Sequence, residues 1–206
     1  MTDGDWYAES SAFGSHRPAI LKSAARTSRS HPLEVACISV CANGGRIGIT
    51  FCPGKQGPSV FGPSWDRDLT ADIEVIRAWG TSSVLTLLEA HEFDLLKVRG
   101  LPEAVRDAGM IWHHAPIPDV STPGPAFEAA WRTIGPRLVT QLRQGQSVVV
   151  HCRGGLGRAG MIAARLVTIM GEQPSRAIER VRSARPGAIE TPAQEAYVLG
   201  QGALNV

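Results

Sequence analysis

The chain has 206 residues, of which 43% are hydrophobic and 19% charged, with a formal net charge of +2. That length suits one domain with a sizeable core, and that composition an ordinary globular protein. So small a charge gives no argument for nucleic-acid or membrane binding by bulk electrostatics. No membrane span is expected either, because the apolar stretch "MIAARLVTIM" has about half the required length and contains Arg165.

The N-terminus "MTDGDWYAES" is acidic and lacks an apolar segment, so no secretory leader is expected and the cytoplasm is the expected compartment. Residues 1–32 are rich in Ser, Ala, Gly and Arg without a period and read as a loose arm, leaving residues 33–206 as the folded domain. In "LEVACISVCANGGRIGITFCPG" two β-branched runs flank "NGG", a hairpin signal. Cys37, Cys41 and Cys52 lie in these apolar runs and read as small buried core residues. No histidine stands at metal-ligand spacing from them. "KQGPSVFGPSW" reads as loop.

"DRDLTADIEVIRAWG" reads as a helix, with Leu69, Ile73 and Ile76 on one face and Gly80 at its stop. "SSVLTLLE" reads as a buried strand, "HEFDLLKV" as irregular, "LPEAVRDAG" as a short helix and "MIWHHAPI" as another strand. His113 and His114 are adjacent on that strand and face opposite ways, which suits packing and support rather than a shared metal. Residues 125–144 have a helical period through Phe127, Trp131, Ile134, Leu138 and Leu142, and Pro136 should kink or split that helix. "QSVVVH" reads as a fully buried strand. Three helices follow: one from about Gly157 to Met170, "PSRAIERVRSAR", and "TPAQEAYVLGQGAL" with Thr191 as its N-cap. Strands alternating with helices after the hairpin argue for an α/β fold, a mainly parallel central sheet flanked by helices. Ligands then bind beyond the carboxyl ends of the strands.

One such end is "VVVHCRGGLGRAG". A glycine-rich loop between a buried strand and a helix is an anion cradle, because successive backbone amides and the helix N-terminus all present positive partial charge. Gly154, Gly155 and Gly157 permit close approach of a ligand. Arg158, in the first helical turn, can grip two phosphate oxygens with its planar fork. Cys152 stands in the same field, so a thiolate is expected at neutral pH, placed for in-line attack on phosphorus. The nucleotide-binding P-loop is excluded, since neither a lysine nor a following hydroxyl is present.

The motif His-Cys-x5-Arg in "HCRGGLGRAG" resembles the signature of the cysteine-dependent protein tyrosine phosphatases, and within them the dual-specificity branch. "IWHHAPIPDVSTPG" and "ARPGAIETPAQEAYV" look like segments of the cyclin-dependent-kinase-associated phosphatases, so the resemblance covers roughly residues 33–200. It implies a metal-independent protein phosphatase that works through a phosphocysteine, with no cofactor and with a phosphorylated protein as its partner. By the same resemblance Cys152 is the nucleophile, Arg158 the phosphate-binding arginine and Asp119 the general acid. Arg153, Gly154, Gly155, Leu156, Gly157 and Arg158 form the phosphate cradle. His151 supports the environment of the cysteine, and Gln194 matches a glutamine near the pocket that orients water in related enzymes, a surface helix position being the alternative.

Ala159 departs from the pattern, which has Ser or Thr at that place. A hydroxyl there donates to the sulfur as it leaves phosphorus. Its loss is worth about 1.5–3 kcal/mol, roughly ten- to a hundred-fold in the second step. The expected substrates are phosphotyrosine and phosphoserine or phosphothreonine. A phosphate-binding protein with little turnover and, because of Arg153, a phosphoinositide phosphatase stand as alternatives.

Overall fold

Val148, Val149 and Val150 lie at the centre of the molecule with no solvent exposure. In the computed structural model, which describes residues 24–59 and 62–200, they belong to strand β7 (Ser147–Cys152). Alternate residues of a strand face opposite ways. Val148 and Val150 therefore join one apolar cluster and Val149 a second, on the other face of the sheet.

β7 is the middle strand of a five-stranded sheet. It pairs in parallel with β2 (Arg46–Phe51) and β5 (Thr81–Thr86), and β6 (Ile111–His114) lies parallel outside β5. β1 (Ala36–Ser39) closes the other edge, antiparallel to β2 through the "NGG" turn. Helices α4 (Pro125–Arg143), α5 (Gly157–Ile169), α6 (Pro174–Ala184) and α7 (Pro192–Gly200) cover the face of Val148. Helices α1 (Leu69–Ala78) and α3 (Leu101–Asp107) cover the face of Val149. The fold is thus the mainly parallel α/β sandwich with an N-terminal hairpin that the sequence pattern predicts. No helix among the described residues is long and apolar enough to cross a membrane.

α5 positions the site. Every residue from Gly157 to Thr168 is buried. Ile162 and Leu166 alone contribute about 1.5–3 kcal/mol each by leaving water, which holds the helix N-terminus beneath the end of β7. Arg165, in mid-helix, donates to both carboxylate oxygens of Glu128 at 2.7 and 3.0 Å and lies 4.7 Å from the Trp131 ring centre. The buried charge is thereby answered.

Several stretches fold otherwise than expected. "HEFDLLKV" is not irregular: it lies largely in helix α2 (Ala90–Leu95). Glu89 and Glu92 make a reciprocal capping box there, the Glu89 amide donating to Glu92 Oε2 at 2.8 Å. The helix is too short to display a period. α4 runs through Pro136 unbroken. Pro136 and Arg132, whose carbonyl loses its helical donor, are both exposed residues. The loop "KQGPSVFGPSW" contains a short ladder of β3 (Gln56–Gly57) and β4 (Trp65–Asp66). Cys37 is exposed because β1 is an edge strand with one face in solvent, and Cys41 is only half-buried because it lies beyond that strand at the turn; Cys52 alone of the three is core.

Of the expected arm, residues 1–23 lie outside the described residues. Further along, Arg26 bridges to Trp65, its backbone bonded to Ser64 and Asp66 and its guanidinium 3.7 Å from the Trp65 ring centre.

Candidate active site

Cys152 ends β7 and Arg158 lies in the first turn of α5, so the loop between them turns at the carboxyl edge of the sheet. Gly155 makes that turn with φ +69°, and a Cβ there would lie 2.4 Å from the Phe51 amide nitrogen. No other residue type fits both the dihedral and the space. The Gly155 amide donates to Cys152 Sγ at 3.2 Å.

The loop is braced from outside. The Arg153 carbonyl accepts from the Cys52 amide at 3.4 Å and from Lys55 Nζ at 3.3 Å, and the Gly155 carbonyl accepts from Arg185 Nε at 3.3 Å. In a trans peptide the next amide points opposite to the carbonyl. The amides of Gly154 and Leu156 are thereby turned inward, the arrangement an anion cradle needs. Gly157, the first residue of α5, donates its amide to Glu190 Oε2 at 2.8 Å. An exposed carboxylate thus already engages one cradle amide.

Arg158 is 1% exposed. Its Nη1 and Nη2 donate to the two oxygens of Glu92 at 2.6 and 2.8 Å, and Nη1 also donates to the carbonyls of Ile117 and Leu87 at 3.0 and 3.3 Å. Burial opposes its charge, but the hydrogen bonds and charge of Glu92, together with Cys152 and Asp119, hold the guanidinium above its ordinary value. Glu92 shows the reverse balance. Burial would raise its carboxyl, yet Arg158 and the Glu89 amide keep it below the usual carboxylate range. Arg158 Nε is buried and has no partner among the described residues, which leaves an N–H for a phosphate oxygen.

Asp119 sits on the loop after β6, and its Oδ1 lies 2.8 Å from Arg158 Nη2. Oδ2 lies 3.9 Å from Nη1 of Arg153, at the rim. Val120 follows with φ +60°, a strained conformation for a β-branched residue, and its amide bonds Asp119 Oδ1 at 3.1 Å. Gln194 secures this loop. Its Nε2 donates to the Ser121 carbonyl at 3.3 Å and its Oε1 accepts from the Glu190 amide at 3.0 Å. Gln194 is therefore not a surface glutamine. It is wholly buried and ties the Asp119 loop to the segment that carries Glu190.

His151 is also wholly buried, 2.8 Å from Thr86 Oγ1, which accepts in turn from Trp112 Nε1 at 2.9 Å. Burial pushes its imidazole down to about 3, so it is neutral near pH 7 and supports the strand end by hydrogen bonding, not by charge. His114 bonds the Leu88 carbonyl at 2.8 Å, while His113 approaches Ser83. Ala159 is buried in the larger apolar cluster, one residue beyond Arg158.

The expected Cys152, Arg158 and Asp119 are thus brought together with the loop 153–157. Glu92, Glu190, Lys55 and Arg185 are additions. Glu92 had a sequence signal in the capping box, and Arg185 and Glu190 lie in the segment "ARPGAIETPAQEAYV" that carries the family resemblance; Lys55 had none.

Because the Gly155 amide already bonds the sulfur, Ala159→Ser is expected to raise kcat by no more than about tenfold, the worth of one further hydrogen bond. The change should leave kcat/KM nearly unaltered, since it acts after the first irreversible step. Steady-state kinetics on an aryl phosphate checks both.

A family model described as Cyclin-dependent kinase inhibitor 3 (CDKN3) matches residues 32–178. The Rattus norvegicus protein of that name is 32% identical over 155 residues, covering 74% of this chain and 69% of the relative. The Homo sapiens protein is 31% identical over the same shares of both. The crystal structure of kinase associated phosphatase with its catalytic site cysteine substituted by serine superposes with a TM-score of 0.70 at 27% identity, over 81% of this chain and 92% of that one. The active form of Tk-PTP shares the fold, with a TM-score of 0.61 at 23% identity over 83% of this chain and 98% of that one.

Proposed function

This chain belongs to the Cyclin-dependent kinase inhibitor 3 family, a cysteine-based protein phosphatase of the dual-specificity type, and from that premise we propose that it dephosphorylates phosphotyrosine and phosphoserine or phosphothreonine through a phosphocysteine on Cys152. The observation that carries the reading is the meeting of Asp119 with Arg158 at 2.8 Å. In this reading a carboxyl from a separate loop stands beside the guanidinium that holds the phosphate.

Arg158 and the inward amides hold the phosphoryl oxygens and stabilise the charge that builds on them. Cys152 Sγ attacks phosphorus as the bond to the leaving oxygen breaks, and Asp119 gives that oxygen its proton. In the second step Asp119 takes a proton from water, the water oxygen bonds phosphorus, and the electron pair of the S–P bond returns to sulfur. Glu92 keeps the Arg158 fork in plane, and Gln194 keeps the Asp119 loop over the cradle.

One relative is named as an inhibitor of a cyclin-dependent kinase and another as a kinase associated phosphatase. A phosphorylated kinase is accordingly the protein substrate proposed first. The four cysteines are free, which suits a reducing compartment and the cytoplasm as the proposed location. Ala159 favours one second reading, a phosphate binder with little turnover.

Vanadate-sensitive release of phosphate from phosphotyrosine and phosphothreonine peptides supports the enzyme reading, whereas peptide binding without release supports the second. Within the enzyme reading, Asp119→Asn should lower kcat by about a hundredfold or more for poor leaving groups and much less for acidic phenols. Equal slopes of log kcat against leaving-group pKa in both forms would remove Asp119 as the acid.

A further inference from the structure

Lys55 is a buried lysine that the reaction described above does not use. It is 8% exposed and stands in the turn after β2. That turn is pinned: the Gly54 amide donates to Asp72 Oδ2 at 2.8 Å, and Asp72 itself pairs with Arg67 through two bonds of 2.8 Å. Lys55 Nζ lies 4.4 Å from the Phe51 ring centre and 4.3 Å from that of Trp65. These rings hold an ammonium by cation–π attraction and shield it from water. From there Nζ donates to the Arg153 carbonyl at 3.3 Å. Lys55 makes no ion pair with a carboxylate among the described residues.

We propose that Lys55 is a positioning residue of the phosphatase site: it fixes the Arg153 carbonyl, which turns the Gly154 amide toward the phosphate, and its ammonium adds positive charge beside Cys152 and the bound phosphate. The inference rests on the reading of Cys152 as nucleophile. The titratable and charged groups that face Lys55 are Cys52, Arg67, Cys152 and Arg26. Cys52 is a neutral thiol, because burial pushes it far above its ordinary value. Arg67 is answered by Asp72. The anion that Lys55 serves is therefore the one in the cradle. Burial pulls its ammonium down to about 8, so its charge is present below that pH and is lost as pH rises through it.

The test is kcat/KM on an aryl phosphate from pH 6 to 10 for the wild type, Lys55→Met and Lys55→Arg. Asp119 and Cys152 are common to all three, so ratios between variants isolate Lys55. The wild type should exceed Lys55→Met by about tenfold at pH 6.5, the worth of one charge-assisted hydrogen bond. That ratio should fall toward unity with a midpoint near the Lys55 value of about 8. Lys55→Arg, which stays charged, should keep its advantage over Lys55→Met to pH 10. A ratio of unity at pH 6.5, or one that stays constant with pH, overturns the role of Lys55 and leaves the phosphatase reading standing. A wild type without hydrolysis overturns both. A purely structural loss in Lys55→Met would lower activity equally at every pH, which is the constant ratio already named.

Discussion

Arg158→Lys is expected to lower kcat/KM by about a thousandfold, the scale of losing an aligned donor to a developing oxyanion. Lysine keeps the charge and loses the planar fork. In the native site that fork is fully committed. Two of its nitrogens meet Glu92 in parallel, Nη2 also meets Asp119, and the buried Nε is left for the ligand. An ammonium cannot meet a carboxylate in two places and a phosphate in a third at once. Stability should fall as well, because Glu92 is 2% exposed and would be left with a poorer partner. Near-normal kinetics in Arg158→Lys would sink the fork argument outright. Since Arg158 holds the Glu92 carboxyl below its ordinary value, the stability of this pair is present above the ordinary carboxylate range. It is lost only as pH falls through the lowered one, so the fork should stay intact at any pH where the enzyme is assayed.

The second large effect is Cys152→Ser. Hydrolysis should drop by more than about ten-thousandfold, as when a nucleophile is removed from other covalent hydrolases, while inorganic phosphate still binds. A serine hydroxyl is a much weaker nucleophile than a cysteine sulfur near pH 7. The cradle itself is made of the Gly154 and Leu156 amides and Arg158, none of which the change touches. Kinetics and a phosphate titration of the same variant separate the two effects. Substantial turnover in Cys152→Ser would assign the nucleophile elsewhere.

What the sequence made legible follows from how local each signal is. β7 was readable because Val148–Val150 form an unbroken apolar run, and the loop after it because its glycines stand between a thiol and a guanidinium at fixed spacing. The partners of that loop come from afar. Glu92 reaches Arg158 from α2, a helix too short and too charged to show a period. Glu190 and Lys55 approach the loop from the segments before α7 and after β2, and only the folded chain brings them there. Cys37 and Cys41 misled because β-branched surroundings mark a strand but not whether it lies at an edge. For Gln194 a place near the pocket and a surface position were both open. A polar residue on an amphipathic helix reads as surface, whereas here its amide is buried and answered at both ends by backbone.

Acid quench within the first turnover reads whether Cys152 carries a covalent phosphate. Wild-type enzyme mixed rapidly with a radiolabelled phosphopeptide should carry acid-stable phosphate on the peptide that contains Cys152. The label should appear with the burst of dephosphorylated product and chase away with unlabelled substrate. Hydrolysis that proceeds with no label on the protein, or with the label on another residue, would contradict the account.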